Sequence, residues 1–458
     1  MRPEKETVLH SWCVQADWDA PTIVGGEGAR FWDDQGRQYL DMSSLAESSH
    51  LGHQHPRVVE AICAQARKLC FVTSAWGAEP RAALAEQLLE RSGFAGGRVF
   101  FTLGGADANE NAVKLARWAS GKHEGHVVTR YRSYHGASAA TMAYSGDVRG
   151  WAQAELGAGV VRALPPYCYR CPFGLQYPSC NTRCADHIAE LFAWESTQRI
   201  AAVLMEPHAG TNGIVAPATY WPRLVEHCRA HGVYLIADEV MSGFGRTGHW
   251  FAWQRHGEAG RPDFMTLAKG LTGAHLPLGA VVLSAQVASR LENQMLYTGL
   301  TYCGHPLSCA AGLAAVQAYA QENLVERSRE LGARLHERLR ALAARHSAIG
   351  DVRGDGLFAV LEFADAPAAA GAPAASWPQM PAQLRRLIAD ARSQGVSFAA
   401  RGNLLVLAPP LVIGESELAG ALDLLDRLLS QHFAASPTAG SSTGPHAGPA
   451  ASCAARPA

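Results

Sequence analysis

Short apolar runs alternate with amphipathic stretches through most of the chain. Residues 20–42 carry a strand–turn–strand pattern, Thr22-Ile-Val followed by Ala29 to Asp41, with the polar Asp33-Asp-Gln-Gly36 as its turn. Behind His55-Pro56, the apolar residues Val58, Val59, Ile62, Ala66 and Leu69 recur at helical spacing. A second helix is predicted from about Pro80 to Glu90, with the proline suited to its first turn. Arg98–Leu103 reads as a strand, Gly104-Gly105-Ala106 as a tight turn, and Asp107–Arg117 as a helix. His126–Tyr131, Ile200–Met205, Val233–Asp238, Phe264–Ala268 and Leu278–Ser284 are further strands, with a helix between Thr219 and His231. Strands alternating with helices predict an α/β fold, a mostly parallel central sheet with helices on both faces.

The pattern changes after Pro306. An alanine-rich helical region runs with breaks to about His346, and Arg353–Phe363 returns to strand character. An Ala/Pro loop fills Ala364–Pro378, and Pro381–Arg392 is helical. Two short strands flank Arg401-Gly402-Asn403, and a last helix spans roughly Ser416–Phe433. The expected division is residues 1–60 as the amino-terminal segment of a small α+β domain, 61–315 as a large domain, and 316–434 as the rest of the small one. Residues 435–458 are almost all Ala, Gly, Ser, Pro and Thr, with Arg456 as their only formal charge, a composition that predicts a disordered tail.

Composition narrows the class of partner. With 48% apolar and 18% charged residues in 458, the chain is that of an ordinary globular protein of two or three subdomains. A net charge of −1 gives no reason to expect nucleic acid or an anionic membrane surface as partner. No apolar run approaches the roughly 18 residues of a membrane helix. The first residues, Met-Arg-Pro-Glu-Lys-Glu-Thr, lack an apolar core, so the cytoplasm is the expected compartment. Eleven cysteines, an odd number scattered widely, fit reduced thiols better than a disulfide framework. Four of them cluster: Cys168, Cys171, Cys180 and Cys184. The first pair has zinc-knuckle spacing, but the second is separated by three residues, so four packed thiols are preferred over a structural Zn²⁺.

Candidate chemistry gathers at strand ends. Asp238 closes one apolar run and Lys269 follows another, both leading into glycine-punctuated loops. Carboxyl ends of parallel strands are where open α/β sheets bind ligands. Burying a lysine is costly unless its amine has a task. Pyridoxal phosphate would give both residues one, since its aldehyde takes an amine and its ring nitrogen an acidic partner. An ordinary ion pair explains the two residues alone equally well. The strand–glycine–helix stretch at 98–117 adds a third element, a helix amino terminus of the kind that holds phosphate, although a plain strand-to-helix connection capped by Asp107 has the same pattern.

Seven motifs in order then resemble the class III aminotransferases, the ω-amino acid branch of the fold-type I pyridoxal-phosphate enzymes. They are Gly104-Gly-Ala-Asp-Ala-Asn-Glu110, Ser133-Tyr-His-Gly136, Glu206-Pro207, Asp238-Glu-Val with Gly243-Phe-Gly-Arg-Thr-Gly248, Ala268-Lys-Gly270, Pro277-Leu-Gly-Ala280 and Thr301-Tyr-Cys-Gly-His-Pro306. The resemblance covers residues from about 20 to 433. It implies Lys269 as the Schiff-base lysine and proton shuttle, and Asp238 as partner of the pyridinium nitrogen. It also implies Tyr134 and Val240 on the two ring faces, Gly105 and Ala106 as phosphate-binding backbone, and Glu206 near the ring hydroxyl. Thr301 would reach the phosphate of a neighbouring subunit, which implies a homodimer with shared sites, alone or paired into a dimer of dimers. Arg401 lies where the family grips the acceptor's α-carboxylate, a task that suits a planar, bidentate guanidinium.

Departures from the family pattern bear on substrate. The phosphate turn has Gly105-Ala106-Asp107 where Gly-Ser-Glu is usual, so one hydroxyl is missing. Relatives specific for 4-aminobutyrate or ornithine mask the arginine with a glutamate five positions after that of Glu-Pro. Here that position is Thr211, which is similar to the β-alanine or amine:pyruvate type, in which the arginine swings aside. Leu45, Ala46 and Trp76 are the expected pocket residues. His135 is expected to be packed or hydrogen-bonded, and His50, His53 and His55 to be loop and cap residues. The expected activity is transfer of an amino group from an ω-amino acid or amine (β-alanine, 4-aminobutyrate or taurine-like) to pyruvate or 2-oxoglutarate. A class III aminomutase, epimerase or decarboxylating relative would use the same residues, and a zinc-stapled binding protein is a third alternative.

Overall fold

A computed structural model of the chain describes residues 4–152, 159–364 and 379–433. Most of the Ala/Pro loop and the whole predicted tail lie outside the described residues. The strands are β1 (Ile23–Glu27), β2 (Arg30–Asp33), β3 (Gln38–Asp41), β4 (Arg98–Thr102), β5 (His126–Arg130), β6 (Val160–Ala163), β7 (Ile200–Met205), β8 (His208–Ala209) and β9 (Ile214–Val215). They continue with β10 (Tyr234–Asp238), β11 (Phe264–Leu267), β12 (Gly279–Leu283), β13 (Ile349–Asp355), β14 (Phe358–Phe363), β15 (Val396–Ser397), β16 (Ala399–Arg401) and β17 (Leu404–Leu407).

Seven strands form the central sheet in the order β4-β12-β11-β10-β7-β5-β6. β12 runs antiparallel to both neighbours and every other pairing is parallel. The sheet is therefore mostly parallel, the fold-type I arrangement. Its central strands are covered on both faces, which is why they read as unbroken apolar runs: all six residues of β7 and all four of β11 are buried. Helix Gly105–Ser120 packs across the sheet through the small or apolar side chains Ala108, Ala112, Val113, Leu115, Ala116 and Ala119.

Two smaller sheets flank this layer. β13-β14-β17-β16 is antiparallel throughout. In the other, β1-β2-β3-β15, the last strand pairs in parallel with β3 and joins residues 396–397 to residues 40–41. An amino-terminal strand and a strand late in the chain thus share one sheet. The single strand expected at 353–363 is a hairpin, β13 and β14, because Gly356 at φ +55° turns the chain within it.

Candidate active site

Five strands of the central sheet lead at their carboxyl ends into the candidate residues. β4 leads to Gly104 and Gly105, β5 to Tyr134 and His135, β7 to Glu206, β10 ends in Asp238, and β11 leads to Lys269. Residues from all five ends line one cavity of roughly 350 Å³. Gly105, Ala106, Tyr134, Glu206, Asp238, Val240 and Lys269, expected to act together, all border it.

Asp238 is buried and its carboxylate is fixed from three sides. Asn109 Nδ2 donates to Oδ2 at 2.8 Å, His135 Nδ1 lies 2.7 Å from the same oxygen, and the Val240 amide donates to Oδ1 at 3.1 Å. Asn109 is held in turn by the Thr266 hydroxyl, 2.7 Å from its Oδ1, and donates to the His135 carbonyl at 2.9 Å. His135 is hydrogen-bonded, as expected. Asn109 and Thr266 were not anticipated; the only sequence signal was an asparagine one helical turn into Gly104-Gly-Ala-Asp-Ala-Asn.

Helix Gly105–Ser120 begins at the cavity wall with no side-chain cap on Gly104. Its first N–H groups have no intrahelical acceptor, which leaves an anion-binding terminus. The wall admits only small residues. A Cβ at Gly105 would lie 2.9 Å from Val240 Cγ1, and one at Gly136 would lie 2.5 Å from the Ala106 Cβ. Tyr134 borders the cavity with Arg149 stacked 4.2 Å from its ring centre and Trp12 edge-on at 6.4 Å. Glu206 is buried against Arg130, whose Nη2 donates to Oε2 at 3.0 Å. Burial raises the Glu206 pKa and Arg130 opposes the rise.

Lys269 sits at φ +45°, a conformation few non-glycine residues hold without constraint. Burial lowers the pKa of its amine, which favours the neutral, nucleophilic form. A half-buried nucleophilic amine, a fixed carboxylate on the same cavity, and an uncapped helix terminus beside small residues together fit pyridoxal phosphate.

Lys269 Nζ also donates to Glu47 Oε2 at 3.3 Å, and Glu47 Oε1 accepts from Arg401 Nη2 at 2.7 Å. Arg401 is thereby brought next to the lysine, with its Nη1 on the Gly210 carbonyl at 3.1 Å. The two cations hold the Glu47 carboxyl at about 2, against the burial that would raise it. Glu47 was not anticipated; attention fell on its neighbours. Leu45 and Ala46 are exposed and do not line the cavity, a correction with a local cause. Ser44, Leu45, Ala46 and Glu47 all have positive φ, at 46°, 41°, 70° and 56°. This left-handed turn buries Ser44 and Glu47 and leaves the two residues between them outside.

Trp76 is also corrected: it is 70% exposed and is not among the residues lining the cavity, its amide donating to the Thr73 carbonyl at 3.1 Å and its carbonyl accepting from Arg81 at 2.9 Å. Thr301 is exposed on the same chain's surface, away from this cavity. His50 contacts the carbonyls of Phe244 and Glu47, His53 the Asp41 carboxylate, and His55 that of Glu322. Cys168, Cys171, Cys180 and Cys184 line one narrow crevice as free thiols. Burial pushes Cys168 up to about 11 and Cys184 up to about 12, so the proton stays on sulfur. Among the described residues no group of three or more His, Cys, Asp or Glu is arranged to hold a metal. No described helix is long and apolar enough to cross a membrane.

The family model for class III aminotransferases matches residues 15–429. The taurine–pyruvate aminotransferase of Rhodobacter capsulatus is 33% identical over 435 residues, covering 90% of this chain and 92% of that one. The leucine/methionine racemase of Thermococcus litoralis is 33% identical over 421 residues, covering 90% and 91%. Among solved structures, the taurine:2-oxoglutarate aminotransferase of Bifidobacterium kashiwanohense, in complex with PLP and glutamate, has a TM-score of 0.86 at 34% identity, covering 93% of this chain and 96% of that one.

Proposed function

The chain belongs to the class III aminotransferases, which use pyridoxal phosphate, and from that premise we propose that it moves an amino group from an ω-amino acid or simple amine to a 2-oxo acid in two half-reactions. β-Alanine, 4-aminobutyrate and taurine-like compounds are the donors, and pyruvate or 2-oxoglutarate the acceptor. Support for the donor class comes from the two taurine-acting relatives and from Thr211, which borders the cavity where a masking glutamate is absent.

Pyridoxal phosphate, when bound, supplies an aldehyde for the amine and an electron sink for the carbanion left when the substrate's Cα loses its proton. Lys269 would hold it through its amine and would carry that proton. Asp238, fixed by Asn109 and His135, would balance a positive ring nitrogen. Tyr134 and Val240 would confine the ring, Glu206 would serve its hydroxyl, and the amides of Gly105 and Ala106 would take the phosphate. Thr301 of a second protomer completes the phosphate site, so the working unit is a homodimer or a pair of dimers. Arg401 grips the acceptor's carboxylate. The cytoplasm and a division into large and small domains at residues 60, 315 and 434 belong to the same reading.

The observation that carries the proposal is the convergence of Lys269 and Asp238 on one cavity walled by a helix amino terminus. The likeness to a racemase supports a second reading, in which the same site epimerises an amino acid. One experiment separates them. Given donor alone, an aminotransferase releases a single equivalent of carbonyl product per site and stops until an oxo acid is added. Continued turnover without an oxo acid would favour the racemase reading.

A further inference from the structure

The hairpin β8–β9 carries Gly210 and Thr211 at its tip, and both border the cavity. The Gly210 carbonyl accepts from Arg401 Nη1 at 3.1 Å, while Nη2 of the same guanidinium meets Glu47 at 2.7 Å. Both feet of this hairpin are held by side chains of β13. At the first foot, His208 Nε2 lies 2.6 Å from Asp355 Oδ2, which also accepts from Arg255 Nη1. At the second, Arg353 Nε donates to the Gly213 carbonyl. Residues 353 and 355 alternate along one strand, so their side chains leave the same face. We propose that Asp355 and Arg353 are positioning residues for the carboxylate end of the substrate site, acting through the hairpin tip on Arg401. The proposal rests on the assignment of Arg401 to the acceptor's carboxylate and adds what fixes that arginine's aim.

Three observations lead there. First, the contacts close a circuit. β13, β14, β17 and β16 form one sheet, and Arg401 is the last residue of β16. The sheet that carries Arg401 therefore reaches, through Asp355 and Arg353, to the hairpin whose tip meets that arginine. Second, the grip is directional. Arg353 is 10% exposed, with Nη1 on Asp351 at 2.6 Å and Nη2 on Glu362 at 2.7 Å, which leaves Nε for the Gly213 carbonyl. Burial would raise the Asp355 carboxyl, but His208 and Arg255 hold it below its usual range, so it is a charged acceptor and His208 Nε2 carries the proton. Third, the hairpin is seated without slack at tip and foot. A Cβ at Gly210 would lie 2.6 Å from Met241 Cγ, and one at Gly213, where φ is +59°, would lie 3.0 Å from Val360 Cγ1 on β14.

Releasing one foot has a defined consequence. The Arg401 backbone stays in place, because β16 pairs with β17. Its guanidinium loses the carbonyl that sets Nη1, and the fork turns. Arginine binds a carboxylate well only when both prongs of that planar fork face it. A simple amine carries no carboxylate and does not use the fork. Loss of the clamp therefore weakens an oxo acid and spares an amine, whereas a general loosening of the fold weakens both.

The test measures kcat/KM of the holoenzyme for pyruvate and for benzylamine, an amine without a carboxylate, since each value reports one half-reaction. The variants are Asp355→Ala, Asp355→Asn, Arg401→Ala, and Asp355→Ala combined with Arg401→Ala. Asp355→Ala should lower the pyruvate value by about fivefold to tenfold and leave the benzylamine value within about twofold. Asp355→Asn, whose side-chain oxygen still accepts from His208, should recover most of the loss. In the combined variant the pyruvate value should equal that of Arg401→Ala alone, because the aspartate acts through the arginine. Equal falls for pyruvate and benzylamine, or losses that multiply in the combined variant, overturn the clamp and leave the Arg401 assignment standing. An unchanged pyruvate value in Arg401→Ala removes that assignment and the clamp together. Should Asp355→Ala not fold, His208→Phe keeps a ring edge-on to Phe358 but has no donor, and the same selective loss of pyruvate is expected.

Discussion

At the scale of single residues, the site is a problem in charge placement. Asp238 is fixed by Asn109, His135 and the Val240 amide, and Glu47 is held between Arg401 and Lys269. The Glu47 pair gives a pH prediction. Its carboxyl drops from 4.5 to about 2 on folding, so the proton is bound more readily by the unfolded chain. The stabilisation is therefore complete above 4.5 and is lost as pH falls through that window towards about 2. A shift of this size is worth about 3 kcal/mol. In urea unfolding of the apoprotein, Glu47→Gln should be less stable than wild type by about that amount at neutral pH, with the gap narrowing below pH ~4. A gap independent of pH would mean that Glu47 stabilises by packing rather than by charge. Asp238 and Lys269 were legible in the sequence because each closes an apolar strand within a few residues. Glu47 was not, since its partners are 222 and 354 positions away and nothing local marks it.

At the scale of elements, the alternation of apolar runs with helices placed six of the seven strands of the central sheet, because strands covered on both faces are mostly apolar, and missed the short β6. Pattern failed where backbone conformation, not polarity, decides the outcome. Ser44–Glu47 reads as an ordinary polar stretch, yet it forms a left-handed turn that inverts which side chains face the cavity. Each L-residue in that conformation costs roughly 1–2 kcal/mol, offset here by the bonds from Asp41, Ala408 and Arg246. Ala46, exposed and at φ 70°, offers a clean measure of the strain. Ala46→Gly removes the Cβ clash but loosens the unfolded chain, so a net gain of about 0.5–1 kcal/mol is expected. The denaturant midpoint should rise with unchanged slope. A fall in the midpoint would show that the turn carries no strain at this position.

At the scale of the whole molecule, one feature of the described chain points outward. Met295, Tyr297, Leu300 and Tyr302 are each more than half exposed, at 73%, 82%, 53% and 55%, and Thr301 lies among them. Surface this apolar is what a second copy would cover. If it does, Thr301 of one protomer serves the site built around Lys269 of the other, and the two defects can be separated by mixing. Lys269→Ala alone leaves every site without its amine, and Thr301→Ala alone leaves every site short of one phosphate donor. In a heterodimer of the two variants, one site carries both lesions and the other carries neither. Random exchange of equal amounts should then yield wild-type cofactor affinity in about a quarter of all sites, read by titrating the apoprotein mixture with pyridoxal phosphate and fixing the adduct with borohydride. If Thr301 instead acted within its own chain, each site of the heterodimer would keep a single lesion, and no high-affinity fraction would emerge on mixing.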